Sequence, residues 1–363
     1  MEMEVDRISK LPDNIVEDNL SRLSTRDVVR TSLLSCKWRH RWTTIPSLMI
    51  GDNAKCPHTF DSVEELAKII DHFLLHHVGP IHKFKLYYDF GPKDNFITYY
   101  HLIDADIDRW ILRLSTSHVK ELSLGLKTTF RRYSGPSSVF SCENLTKLEL
   151  HDCSLSPPET FKGFGNLKSL HLDYVNLTQD VLEILICNSP ILERAVLMVF
   201  LGHPGQSNKP LGITWMPNFF NHLLHIRKLT LQDDSVECLA LGGLLREYPL
   251  RDLQYLSMDI NFNHQEEILA ALCLATKSSL NWGVNANFSE VDQMHYLFTK
   301  LRSVRMVHII GCKREVDFIN YMLSTSPVLE TMTISHAFSC AKRIVEQSFS
   351  FEHASEQVKI IVT

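Results

Sequence analysis

One template returns nine times along this chain, an apolar-x-x-apolar-x-apolar run. It stands at Ile81/Phe84/Leu86, Val119/Leu122/Leu124, Leu145/Leu148/Leu150, Leu167/Leu170/Leu172 and Leu192/Ala195/Leu197. It returns at Ile226/Leu229/Leu231, Leu253/Leu256/Met258, Leu301/Val304/Met306 and Leu329/Met332/Ile334. Successive starts lie 38, 26, 22, 25, 34, 27, 48 and 28 residues apart. The shorter spacings suit a leucine-rich repeat, and the longer ones need insertions. A strand with its return segment cannot cover its own apolar face, so such units stack and bury it between neighbours. Leu145–Leu155 reads LxxLxLxxCxL, with Cys153 where a side chain satisfies backbone groups as the chain leaves the strand. Cys153 is therefore read as structural. A second echo joins Leu185–Glu193 to Met322–Glu330: each closes an apolar helix, stops at Pro190 or Pro327, and enters the next template.

Strand alternation turns the residues between the apolar positions onto the opposite face. That face begins with Lys83, Lys85, Tyr87, Glu121 and Ser123. From it we select Lys147, Glu149, His151, His171, Asp173, Thr230, Gln232, Asp259 and Arg305 as candidate target-binding residues. Its mixed charge suits a protein or peptide better than a polyanion, and only a few positions would carry much of the binding.

The chain opens differently. Pro12 suits a first helical turn, with Ile15, Val16, Leu20 and Leu23 following at helical spacing. Ser24 or Thr25 can cap a second helix bearing Asp27, Val28, Val29, Leu33 and Leu34. Ser35–Trp42 reads as a third, with Trp38 and Trp42 four apart on one face. Three helices this short hide little, so the apolar surplus serves either a partner or the next domain.

Three runs carry a resemblance: Asp6–Asp13 (DRISKLPD), Val28–Ser35 (VVRTSLLS), and Lys37-Trp38-Arg39 with Trp42. Together they resemble the F-box of plant F-box/leucine-rich-repeat proteins. The resemblance implies an α/β fold: a small N-terminal three-helix F-box, then an irregular solenoid with parallel strands on the concave face and helices outside. The expected divisions are residues 6–48 for the F-box, 49–80 for a linker and helix, 81–300 for the repeats, and 301–363 for a repeat region resembling the FBD-type module. It also implies that Leu11, Pro12, Ile15, Leu20, Val28, Leu33, Leu34 and Trp38 form or support a face for a Skp-type adaptor. Through that adaptor the chain would join cullin and RING subunits as the target-recognition subunit of a ubiquitin ligase. Asn19 departs from the pattern, standing where an apolar residue is usual. A buried, unpaired amide there would weaken docking. The alternative is a ligase-independent interaction scaffold.

Other classes fall away. With 44% hydrophobic and 22% charged residues and a net charge of −5, the composition is globular and lacks the basic excess of a phosphate binder. Lys37–Trp42 interleaves bases with Trp and could stack on single-stranded nucleic acid, but nearby Asp and Glu balance it. Nine cysteines without a CxxC argue for free buried thiols in a reducing compartment. The first ten residues have no signal-peptide core and no apolar run could span a bilayer, so the expected location is cytosolic or nuclear. The helix expected over Ser62–His77 carries His72 and His76 at zinc-compatible spacing, with no obvious acidic or thiol ligand set beside them, and reads as a solvated helix end. No metal, cofactor or intrinsic catalytic activity is expected, since no phosphate loop, GxSxG or HExxH occurs. Lys127–Ser141 and Gly202–Pro217 read as long loops.

Overall fold

In the computed structural model, the described residues are 11–23, 25–34, 36, 38–51, 63–89, 96–127, 133–201, 223, 225–232, 250, 252–260, 300–336 and 353–363. The chain divides into two compact units, Met1–Leu167 with Asp173–Leu177, and Lys168–Leu172 with Thr178–Thr363.

The first unit starts with helix α1 (Asp13–Leu20), entered through Pro12 at φ −56°, and helix α2 (Thr25–Arg30), extended by a 3₁₀ turn over Thr31–Leu33. Val16, Leu20, Val28, Trp38 and Ile45 form one small core, with Trp42 packed against it. The third segment is helical over a shorter stretch and of a different type. Its described residues make turns and a short 3₁₀ helix, Arg41–Thr44, not an α-helix. Ile45 precedes Pro46 and is already extended (φ −71°, ψ 125°), because a residue before proline is pushed out of the α region. The chain then enters strand β1 (Ser47–Ile50) at once, in the stretch where a linker was expected to begin.

Helix α3 (Val63–His76) follows as the periodicity predicts. Helix α4 (Phe96–Thr116) accounts for the long gap between the first two templates. The two helices are tied together by Asp71, which accepts from Arg109 Nη2 at 2.8 and 2.9 Å and from the indole N–H of the buried Trp110 at 2.7 Å. Strands β2 (Lys83–Asp89), β3 (Glu121–Lys127) and β5 (Lys147–His151) run parallel to β1 in the order β1-β2-β3-β5. Two short strands, β4 (Tyr133–Ser134) and β6 (Cys153–Ser154), pair with each other beside them. Part of the segment expected to be an open loop is thus built in. Ser137–Ser141 is a 3₁₀ turn with Val139 buried, and Asp108 of α4 accepts the Ser138 N–H at 3.0 Å and its Oγ–H at 2.6 Å. Arg131 and Arg132 lie outside the described residues.

Strand β7 (Ser169–Leu177) gives its last five residues to the first unit and its earlier ones to the second. In the second unit follow α5 (Gln179–Cys187), β8 (Arg194–Leu201), β9 (Lys228–Gln232), β10 (Tyr255–Met258), β11 (Ser303–Ile309), α6 (Lys313–Thr325), β12 (Thr331–His336) and β13 (Lys359–Val362). From β8 to β13 each strand pairs in parallel with the next. Every one of the nine templates becomes a strand with its apolar residues buried. Gly202–Pro217 lies outside the described residues.

Two recurrences explain the repeat locally. After α5 and α6, the fully buried Ser189 and Ser326 accept the N–H of Leu192 and Leu329 at 3.1 and 3.3 Å, so both Ser-Pro segments turn alike into their strands. Two residues beyond the third apolar position of their templates, Asp152, Tyr174 and His308 all adopt left-handed φ (55°, 54° and 59°). The same backbone kink therefore recurs at the same template position in three repeats.

Candidate docking and recognition surfaces

The small helical core sorts the predicted adaptor residues in two. Leu20, Val28 and Trp38 are buried in that core. Leu11, Pro12, Ile15, Leu33 and Leu34 are exposed. Leu33 is 87% and Leu34 65% exposed, an expensive way to leave leucines unless another protein covers them. Asn19 is exposed too, and its amide N–H donates to Ile15 O at 2.7 Å, so no buried unpaired amide results.

The second surface lies on the polar face of β2, β3, β5 and the end of β7. Strand register makes three rows there: Lys83–Glu121–Lys147, Lys85–Ser123–Glu149 and Tyr87–Gly125–His151. Glu149 is the hub. It pairs with Lys147 Nζ at 2.6 Å and Lys85 Nζ at 3.5 Å, and it accepts from Ser123 Oγ at 2.5 Å and Tyr87 Oη at 3.3 Å. Burial pushes its carboxyl up, but the Lys147 and Ser123 hydrogen bonds and the two ammonium charges outweigh that and hold it at about 2.

Gly125 sets the third row. A Cβ placed on it would sit 2.5 and 2.7 Å from the Tyr87 ring carbons. The tyrosine thus lies across β3 in space that only glycine leaves open, and reaches His151 Nε2 at 3.2 Å, with the two rings edge-on at 5.3 Å. His151 Nδ1 in turn meets Asp173 Oδ2 at 2.8 Å. His151 and Asp173 are residue types able to ligate a metal, but both imidazole nitrogens are committed, one to Tyr87 and one to Asp173.

Of the predicted target-binding residues, this network therefore joins Lys147, Glu149, His151 and Asp173. It adds Lys85, Tyr87, Ser123 and Gly125, which the selection had omitted. His171, half-buried, is on β7, and Thr230 and Gln232, also half-buried, are on β9. Asp259 follows β10 and meets His308 Nδ1 at 2.6 Å. Arg305 is exposed on β11, in register with Ser257 and Thr333. At the helical pair, His76 Nδ1–H donates to His72 O at 2.8 Å, the arrangement of a closed helix end. Among the described cysteines all are free; Cys142 and Cys153 are buried, whereas Cys36, against expectation, is exposed.

Comparison with known proteins agrees in two places. The F-box domain model matches residues 8–48, and the model described as At1g61320/AtMIF1, LRR domain, matches residues 81–199. The F-box/FBD/LRR-repeat protein At1g13570 of Arabidopsis thaliana is 30% identical over 394 residues, covering 92% of this chain and 92% of that protein. F-box/LRR-repeat protein 13 of the same plant is 34% identical over 52% of this chain and 40% of its own length. Among solved structures, an internalin from Listeria monocytogenes covers 83% of this chain and 70% of its own, at 13% identity and a TM-score of 0.38.

Proposed function

The chain belongs to the F-box/FBD/LRR-repeat family, and from that premise we propose that it is the target-recognition subunit of a Skp–cullin–F-box ubiquitin ligase. It docks on a Skp-type adaptor through Leu11, Pro12, Ile15, Leu33 and Leu34, supported from beneath by Leu20, Val28 and Trp38. The adaptor carries it to cullin and RING subunits. Ubiquitin transfer belongs to those partners, and this chain contributes proximity by holding a protein target near the reacting groups. The network on β2, β3, β5 and β7 is where the target binds. Its charges are already paired and its rotamers fixed, so little ordering is left to oppose binding. Its place of action is the cytosol or nucleus. Among the described residues no helix is long and apolar enough to cross a membrane.

The observation that carries this reading is the exposure of Leu33 and Leu34 beside a core that is already closed. Fully burying a leucine is worth about 1.5–3 kcal/mol, so two of them matter greatly to an interface. The test is direct binding of the intact chain to a purified Skp-type adaptor. The wild type is expected to bind, and Leu33→Asp with Leu34→Asp to weaken binding at least tenfold with an unchanged melting curve. Failure of the wild type to bind would sink the proposal.

A further inference from the structure

We propose that the adaptor-binding surface continues past the F-box onto the end of α3, with Leu75 and Val78 as its apolar anchors and Trp42, His72 and His76 between them and α1. This rests on the adaptor reading above and extends it to residues outside the F-box.

Exposure is the first argument. Leu75 is 80% and Val78 82% exposed; with Leu33 they are the three most exposed large apolar residues among those described. Helix α3 buries Leu66, Ile70, Phe73 and Leu74, a stripe at helical spacing. Leu75 sits one residue off that stripe and points away from the core that the others fill. Val78 lies just beyond the helix end, held by its own N–H to Thr43 O at 2.8 Å. Among the described residues, nothing in packing accounts for either side chain.

Continuity is the second. Asp13, the first residue of α1, pairs with Arg41 at 2.7 Å. Next to Arg41, Trp42 stacks on His72 (ring centroids 6.0 Å, 27°) and lies 6.5 Å from His76. His72 and His76 are themselves 4.2 Å apart. Contacts thus lead from the start of α1, where Leu11 and Pro12 are exposed, through Arg41–Thr43 to His72, His76 and Val78, with Leu75 next to His76 in the chain.

Area is the third. A stable interface of standard size takes about 800 Å² and roughly 20–30 residues from each partner. Among the described residues of the F-box, Leu11, Ile15, Leu23, Leu33 and Leu34 are the exposed large apolar side chains. Leu75 and Val78 at the end of α3 would add two more such side chains to it. The occupant is the adaptor because it is the partner proposed above for the near end of this surface.

The test measures affinity of the full chain for a purified Skp-type adaptor. Leu75→Glu with Val78→Glu is expected to weaken binding at least tenfold. Ile191→Glu, an exposed apolar position in the other unit, should change it less than twofold. Adding the adaptor to the wild type should also slow amide hydrogen exchange across residues 72–79, a readout that needs no variant. Wild-type binding that is unaffected by the double variant, without protection at 72–79, overturns the extension alone. No binding by the wild type overturns the reading on which it rests.

Discussion

Glu149 shows how one residue can set the character of a surface. Its folded value, about 2, lies well below the usual 4.5 of an unfolded glutamate. A carboxylate depressed in this way contributes stability that is complete above pH 4.5 and fades as the pH falls toward 2. For this largely buried group the contribution is about 3 kcal/mol. Glu149→Gln should lower stability at pH 7 by a similar amount and flatten the stability profile between pH 4.5 and 2, as read by urea denaturation across that range. A profile as steep as the wild type's would show that the hub lies elsewhere. Gly125 gives a prediction of sign. In a strand interior, Gly→Ala ordinarily stabilises by about 0.5–1 kcal/mol. Here the added methyl meets the Tyr87 ring, so Gly125→Ala should destabilise by about 1 kcal/mol. In a Tyr87→Ala background the same change should become neutral or stabilising. Neither role was legible beforehand. Glu149 stood among the expected face residues as one charge of many, and Gly125 occupies a template position where any side chain fits. What singles them out is register between strands that the sequence spaces 38 and 26 residues apart.

Elements were legible where burial leaves a periodic trace. The nine templates became strands, and α3 appeared where its apolar spacing placed it, because alternation and helical period are themselves records of which face is covered. Strand β1 (SLMI) and strand β13 (KIIV) are too short to alternate visibly and depend on pairing with β2 and β12. The third F-box segment forms a short 3₁₀ helix that ends where Ile45 turns extended before Pro46. Joints between elements carry the sharper predictions. Between β11 and α6, the buried Glu315 accepts N–H groups of Ile310, Gly311 and Cys312 at 3.1, 2.5 and 2.8 Å. Three backbone donors converge on one carboxylate, so Glu315→Ala should cost about 2–3 kcal/mol in denaturant melts. At the end of α3, His77 is buried, with no well-formed hydrogen bond at either ring nitrogen and only a weak contact to the Pro80 backbone. Burial lowers its pKa from 6.5; the Pro80 backbone opposes the shift and the Arg113 charge adds to it. The folded state therefore resists a proton that the unfolded chain accepts, and stability should fall as the pH drops below 6.5. His77→Phe removes two poorly paired nitrogens while keeping a ring. It should stabilise by about 1–2 kcal/mol and remove that slope, as thermal melts from pH 7 to 5 would report.

For the molecule as a machine, what matters is whether the docking end and the recognition face move together. In the first unit they are joined by backbone and not by a tether. Val78 N–H reaches Thr43 O at 2.8 Å, the N–H groups of His82 and Lys83 reach Pro46 O at 2.9 and 3.0 Å, and Met49 N–H reaches Thr25 Oγ1 at 2.7 Å. Ser47–Ile50 then completes the coupling as a strand of the same sheet. Such bonds use peptide groups that every residue carries, so the sequence holds no sign of them and reads instead as a domain followed by a linker. If the coupling is as tight as these contacts imply, the F-box and strands β1–β5 open as one cooperative unit. Leu20→Ala, in the helical core, should cost about 2–3 kcal/mol. The informative quantity is where that loss is felt. In native-state hydrogen exchange, the amides of Phe84, Leu86, Leu122 and Leu148 should lose the same free energy of opening as those of α1. A loss confined to the helices would mean that the F-box opens by itself, and that the adaptor's orientation is not passed on to the recognition face. A shared loss makes the adaptor, the F-box and the network around Glu149 one lever. In the proposed role, target choice would then depend on the orientation in which the network is held as well as on its chemistry.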